Sequence, residues 1–292
     1  MHVDSLRVFC DLVETASFSK AAAAHGITQS AVSQQVRALE KRFGCTLLER
    51  SRSGVSATPE GNAFLATCRE ILAAWGTFEG RLGELKHEVS GELRIASIFS
   101  IGLHDLPARL AAFRAKFPQV AVHVDYRRST QVYDMIESGD AHIGLVAFPA
   151  KRPGIMFEIF DEDILVIICH PRHRLAAKKR ILLSAIAGEE FIGFEPDTPT
   201  RKMTDRYLRK AGVKITPVNE FDNIETVKRA VEIGSGISIV PARTIAAEIK
   251  SGQLASLEVE SPRMTRPLAT IIARNRTRPP GMKEFIALLK GS

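Results

Sequence analysis

Gln29, Ser30, Ser33, Gln34 and Arg37 follow one another at spacings of 1, 3, 1 and 3. A helix through them gathers all five on one face. Their chemistry is that of short hydrogen-bonding groups rather than of a solvated charged surface. A glutamine amide pairs bidentately with adenine, an arginine with guanine, and a serine hydroxyl reaches base or phosphate. The Glu and Lys of an ordinary exposed face begin only at Glu40, Lys41 and Arg42. Thr28, just ahead, is an N-cap whose helix offers free N–H groups and a positive dipole end to a phosphate. Ser17, at the head of the preceding helical run, joins this set. Arg50 and Arg52 flank a turn at Ser51–Gly54 between two short strands, a wing tip suited to the backbone or minor groove. Double-stranded DNA is the expected partner.

The surrounding residues build the elements that position this face. Leu6, Phe9, Cys10 and Val13 predict an amphipathic helix over 4–16 with Asp4 as N-cap. The run SKAAAA is a short helix former, and Gly26 ends it in the left-handed conformation. Val32, Val36, Leu39 and Phe43 give the buried stripe of a helix over 28–43, closed by Gly44. Helix, glycine turn, helix is the helix-turn-helix pattern. Thr58-Pro59 then starts a helix running to about Glu88. Along it Phe64, Cys68, Ile71, Trp75, Phe78, Leu82 and Leu85 fall at spacings of 4, 3, 4, 3, 4 and 3. That is a heptad seam. Glycines 76, 80 and 83 weaken the helix alone, so Phe64, Ile71, Trp75, Phe78, Leu82 and Leu85 are expected to pair two chains. A dimer would present two reading heads to half-sites ~34 Å or a multiple apart.

Beyond residue 90 the texture alternates. GELRIAS, VAVHVDY and AHIGLVAF read as strands separated by helices at IGLHDLPARLAAFRAKFP and STQVYDMIESGD. A similar series follows with DILVIICH, SAIAG, FIGFEP, TRKMTDRYLRKAG, a strand near 215–221, IETVKRAVEIGSG and ISIVP, before PLATIIAR and MKEFIALLK. This implies largely parallel sheet, helices on its faces, and two lobes with a ligand cleft between them. Helix starts with hydroxyls bind carboxylate or phosphate. Ser97 to Ser100, Ser129 with Thr130, Thr198 to Arg201 (with Thr200), and Asn223 qualify. The net charge is +7, and all of that excess lies beyond residue 90. With Arg201 and Lys202 beside the candidate site, a small anionic effector is expected.

Composition excludes several classes. The chain has 292 residues, 45% hydrophobic and 25% charged, which is ordinary for globular proteins. No stretch reaches the roughly 18 apolar residues of a membrane span. The opening MHVDSLRVFC lacks an export signal, so a cytoplasmic protein with no membrane partner is expected. Cys10, Cys45, Cys68 and Cys169 have neither zinc nor disulfide spacing. A paired-cysteine redox switch is not expected, because only Cys169 lies in the effector region. His170 and His173 read as a turn rather than metal ligands. Neither G-x-S-x-G nor a phosphate-binding loop is present. No metal, no cofactor and no enzymatic activity are expected. Two rival readings stay open at this point: a small-molecule receptor whose N-terminal segment only oligomerises, and a metabolic enzyme with an appended helical domain.

Residues 17–61, above all AVSQQVRALE followed by LLERSR and TPEG, resemble the signature of the LysR-type transcriptional regulators. GELRIAS, HPRHRLA and TVKRAVEIGSGISIVP resemble that family's effector domain. The departures are Leu48 where Phe is usual, Ala57 where Leu is usual, and His25-Gly26 at a typically leucine-containing helix end. The resemblance implies an α/β chain with an all-α, winged N-terminal domain. This is a winged helix-turn-helix (1–58), a dimerising linker helix (59–89) and a periplasmic-binding-protein-like, two-lobed effector domain (90–292). Lobe one would comprise 90–161 and 267–292, and lobe two 162–266. It implies a homodimer, or a tetramer as a dimer of dimers, on promoter DNA, modulated by a metabolite in the cleft. RNA polymerase is a candidate further partner. By similarity Ser100, Thr130, Phe148 and Thr200 match pocket-lining positions.

Overall fold

The apolar stripes fold as expected into α1 (Val3–Thr15), α2 (Phe18–Ala24) and α3 (Gln29–Phe43) in a computed structural model. It describes residues 2–51, 54–85, 89–261, 263–276 and 278–291, leaving aside side chains at 50, 51, 54 and 79–85. Leu6, Phe9 and Leu12 of α1 close on Ala21 and Ala22 of α2 and on Val32, Val36 and Leu39 of α3. The small alanines let α2 sit against its neighbours. Ser17 caps α2 by accepting from the Lys20 N–H (3.3 Å), and Thr28 caps α3 by accepting from the Ala31 N–H (3.2 Å). Asp4 is not the N-cap of α1. The helix starts two residues earlier, after His2, and Asp4 sits in its first turn. The His25-Gly26 ending is accommodated because His25 Nε2 pairs with the Asp11 carboxylate at 2.5 Å.

The wing is the antiparallel pair β1 (Leu48–Ser51) and β2 (Gly54–Ala57), with Leu48 opposite Ala57. The Glu40 carboxylate accepts from the Leu47 and Leu48 N–H groups (2.9 and 3.4 Å), tying the end of α3 to the wing. Thr58 donates to the Thr46 carbonyl (2.7 Å) and accepts from the Gly61 N–H (2.9 Å), capping α4 (Pro59–Leu85). The expected continuation to Glu88 falls on 86–88, outside the described residues.

The heptad row of α4 divides, which corrects the dimer seam. Phe64 stacks within the head, its ring 4.9 Å from Phe9 and 5.2 Å from Phe43, and Cys68 is fully buried against α1. The first part of the row is therefore consumed by the chain's own core, because α1 packs along it. Ile71, Trp75 and Phe78 are 37%, 41% and 50% exposed. The side chains of Leu82 and Leu85 lie outside the described residues.

Contacts divide the chain into two units, Met1–Gly91 with Arg276–Pro280, and Glu92–Asn275 with Gly281–Ser292. The second begins with β3 (Gly91–Ile98), α5 (Phe99–His104), α6 (Leu106–Lys116), β4 (Val120–Arg127), α7 (Ser129–Ser138) and β5 (Ile143–Ala147). It continues with β6 (Ile155–Cys169), β7 (Arg180–Ile181), β8 (Phe191–Phe194), α8 (Pro199–Lys210), β9 (Pro217–Phe221) and α9 (Ile224–Glu232). It ends with β10 (Ser238–Pro241), α10 (Ala246–Ser251), β11 (Ala255–Val259), β12 (Thr265–Ala273) and α11 (Met282–Lys290). The SAIAG helix is instead a 3-10 turn at Leu183–Ile186, too short for a full α-helical turn.

The strand order is β4-β3-β5-β12-β6-β11-β7, with β10 also on β6. β6 runs 15 residues, so DILVIICH is only its second half. Its first half pairs with β12 from Ile155↔Ala273 to Ile164↔Thr265. From Leu165 to Cys169 it pairs with β10 and β11 instead. One strand thus serves lobe one and then lobe two. The sheet is mixed rather than largely parallel. β3–β5 is parallel, but every pairing of β6 and the β12–β5 pairing are antiparallel, because β12 returns from lobe two to close lobe one. β8 and β9 form a separate parallel pair in lobe two.

Candidate nucleic-acid interface and ligand cleft

On α3 the buried stripe turns Gln29, Ser30, Gln34 and Arg37 to the exterior, with Ser33 half-buried beside them. Thr28 Oγ1 and Ser30 Oγ lie 2.9 Å apart, and Ser19 donates to Gln29 Oε1 at 3.4 Å. Ser19, not singled out from the sequence, therefore orients the Gln29 amide from α2. Its signal was available: it follows the Ser17 cap on the turn facing the start of α3. The Ser17 hydroxyl is half-buried and engaged in its cap. The Arg50 backbone pairs with Val55 at the wing. The Arg50 side chain and the whole of Arg52 lie outside the described residues.

In the second unit a cleft enclosing about 620 Å³, open mouth included, lies between the lobes. The starts of α7, α8 and α9 converge on it. They bring Ser129 and Thr130 from lobe one, and Thr198, Thr200 and Asn223 from lobe two. Thr198 donates to the Glu195 carbonyl (2.8 Å) while accepting from the Arg201 N–H (3.3 Å), so its proton is committed. Asn223 Oδ1 caps α9 through the Thr226 N–H at 3.0 Å. Phe99, Phe194, Ile98, Ile224 and Pro241 supply apolar wall.

Three expected residues do not line this cleft. Ser97 is fully buried behind it on β3, its hydroxyl donating to the Ile98 carbonyl at 3.1 Å. Phe148, at φ +50°, turns its ring into the lobe-two core as the chain leaves β5. Arg201 is held by Asp205 of its own helix (2.9 Å), by Glu220 of β9 (2.6 Å) and by the Phe194 carbonyl at the end of β8 (2.6 Å). Its charge is already neutralised.

Sequence reasoning missed the cations that do line the cleft. Arg127 is paired with Asp125 at 2.9 Å. Arg128, at the head of α7, crosses the cleft to Glu195 and to Asp197 (3.3 Å). Arg266 on β12 is only 1% exposed. Its Nη2 donates to Ser100 Oγ at 2.5 Å. Nε and Nη1 have no hydrogen-bond partner among the described residues. The nearest counter-charge, Asp163 Oδ2, stands 3.9 Å from Nη1. Burial pulls the Arg266 guanidinium down to about 10 and pushes the Asp163 carboxyl up. A signal for Arg266 was present in the alternation of β12, where Arg266 takes the inward position shared by Leu268 and Thr270.

Behind the cleft, Arg243 holds Asp105 of lobe one (3.0 Å) and Asp161 in the middle of β6 (2.6 and 3.0 Å), and Arg109 joins Asp161 at 3.1 Å. Hydrogen bonds from Arg243, reinforced by Arg109, hold the Asp161 carboxyl at about 2. A second bridge runs from His104 of α5 to Glu225 of α9 at 2.8 Å. Glu225 also meets the buried Lys228 (3.0 Å), which reaches Glu248 (2.7 Å). Among the described residues no cluster of side chains could hold a metal ion, and no helix is long and apolar enough to cross a membrane.

Residues 3–62 match the model of the bacterial regulatory helix-turn-helix proteins of the lysR family, and residues 86–292 match the LysR substrate binding domain. The chain belongs to the LysR family. This LysR-type regulator is a DNA-binding transcriptional regulator with an effector-binding domain, not an enzyme. It is 27% identical over 292 residues to the HTH-type transcriptional regulator CysL of Bacillus subtilis, spanning 100% of this chain and 98% of CysL. In fold it is similar to full-length OxyR of Pseudomonas aeruginosa, with a TM-score of 0.76 and 19% identity over 100% of this chain and 95% of that one. The regulatory domain of CcmR from Synechocystis PCC6803, in complex with 2-PG, has a TM-score of 0.63 and 23% identity. It covers 69% of this chain and 96% of that domain.

Proposed function

We propose that this LysR-type regulator reads promoter DNA through α3 and the wing, and that a small anionic metabolite bound between the lobes changes that binding. The observation that carries the ligand reading is the convergence of α7, α8 and α9 on one cleft from both lobes. Each helix start presents unpaired N–H groups and a partial positive charge, so an anion there is favoured and touches both lobes at once. The Synechocystis CcmR regulatory domain was solved in complex with 2-PG, which supports a small-molecule ligand for a domain of this fold. A ligand acts on transcription only by its differential affinity for two arrangements of the oligomer.

Ser17, Thr28, Gln29, Ser30, Ser33, Gln34, Arg37, Arg50 and Arg52 form the proposed DNA-contacting set. The exposed Ile71, Trp75 and Phe78 are offered to a second chain, giving a homodimer or a dimer of dimers. We infer a cytoplasmic protein that works without a cofactor and meets RNA polymerase at the promoter. The test is gel-shift binding of the full chain to its own upstream DNA across a panel of anionic and neutral metabolites. A footprint or affinity that changes with an anion, and not with its neutral amide or ester, is the expected result. Binding indifferent to every anion would overturn the ligand reading, and no binding to any duplex would overturn the DNA reading.

A further inference from the structure

Arg266 is a buried cation whose guanidinium lacks hydrogen-bond acceptors for two of its nitrogens among the described residues. Three donor positions define its state. Nη2 is held by Ser100, while Nε and Nη1 have no hydrogen-bond partner among the described residues, and both Arg266 and Ser100 border the cleft. Asp163 at 3.9 Å is too far for a hydrogen bond. Asp163 is itself under-satisfied, with Oδ1 taking the Ile164 N–H at 2.7 Å and Oδ2 left without a partner. Arg243, the next cation, is spent on Asp105 and Asp161. Buried donors of native proteins are almost always paired, and a buried donor of a charged group left without an acceptor is costly. Such an arrangement persists where a ligand completes it.

We propose that Arg266 is the anchor for a carboxylate carried by the cleft ligand, with Ser100 holding the guanidinium in place. This rests on the reading that the cleft takes an anion, and it names which end goes where and what chemistry that end has. A carboxylate supplies acceptors for the unpaired guanidinium donors while adding a single negative charge beside Asp163. A dianionic phosphate would bring a second charge beside the Asp163 carboxyl. A planar carboxylate accepts from a guanidinium with good geometry. The apolar wall of Phe99, Phe194 and Ile224 suits a short carbon skeleton, whose far end then reaches the starts of α7, α8 and α9. Occupation would also set an anion next to the Asp163–Arg243 pair at the crossing of β6, where the lobes are clamped.

The experiment uses the full chain and measures thermal unfolding midpoints and calorimetric affinities at constant ionic strength. The probes are sodium salts of two- to five-carbon mono- and dicarboxylates, inorganic phosphate and sulfate. At least one carboxylate should bind saturably to the wild-type chain. Arg266→Gln should weaken it by about 100-fold, and Arg266→Lys should restore part of that loss. Circular dichroism checks that each variant is folded. If Arg266→Gln fails to fold, Ser100→Ala serves instead, with an expected loss of about tenfold. Equal carboxylate affinity in wild type and Arg266→Gln, or in Ser100→Ala when that is the variant used, would overturn the anchor. If Thr200→Ala alone abolished that binding, the cleft reading would stand without it. Saturable phosphate or sulfate binding that depends on Arg266, with no carboxylate response, would overturn the carboxylate assignment. No saturable anion binding to the wild type would remove both the proposal and the reading beneath it.

Discussion

Gln29 and Arg266 illustrate two ways in which one side chain acquires a role. Gln29 is exposed, its amide oxygen taken by Ser19, so its NH2 group faces outward as the donor. Gln29→Ala is expected to cost ~1–3 kcal/mol on the cognate site and to relax one base position. Titrating the variant against the site and its single-base changes checks this, and a uniform loss across unrelated sequences would instead mark a phosphate contact. Both residues are polar, and only burial separates them. The polar inventory of α3 was legible because a helix face follows from spacing alone. The state of Arg266 was not, since its significance lies in which groups fail to reach it.

At the level of elements, α4 shows how one apolar row divides between a buried core and an exposed face. Its first part closes the head through Phe64 and Cys68, and only then does it offer Ile71, Trp75 and Phe78. Trp75→Glu should therefore split the oligomer without unfolding the head. Sedimentation gives the mass, and a mass equal to the wild type would refute the pairing. The glycines of α4 differ in the same way. A Cβ at Gly61 would stand 1.9 Å from the Leu47 carbonyl oxygen, while one at Gly76 would meet nothing within 4 Å. Gly61→Ala should lose about 1–3 kcal/mol by forcing the wing from the helix. Gly76→Ala should gain roughly 0.5–1 kcal/mol from helix propensity. Denaturant titration of the two variants reads both signs, and shifts in the same direction would contradict the packing described.

For the molecule as a whole, the ion pairs between the lobes contribute to its response to acid. Asp161 titrates at about 2, below its ordinary 3.8, chiefly because Arg243 donates to it. Its folded value lies below its unfolded one, so its contribution is present above about pH 4 and is lost as the pH falls toward 2. Asp161→Asn should flatten the stability curve across that window, followed by thermal unfolding at stepped pH. A variant curve parallel to the wild type would show that the clamp carries no stability. Arg243 serves Asp105 and Asp161 together, so its removal should couple non-additively with Asp161→Asn.

Most of the succession of elements, the polar face of α3, the caps at Thr28 and Thr58, the helix starts at Thr198 and Asn223, and the family itself could be read from the residues, while α10, β11 and the full length of β6 could not. Each depends on interactions between positions a few apart, and local spacing encodes those. Folding decided how the α4 row is shared and how β6 spans two lobes. It also turned Phe148 and Arg201 away from the cleft and brought Arg266 to Ser100 across 166 positions. Those outcomes depend on which distant surfaces compete for the same side chain. Burial and charge compensation are settled only when the whole chain has closed around each group.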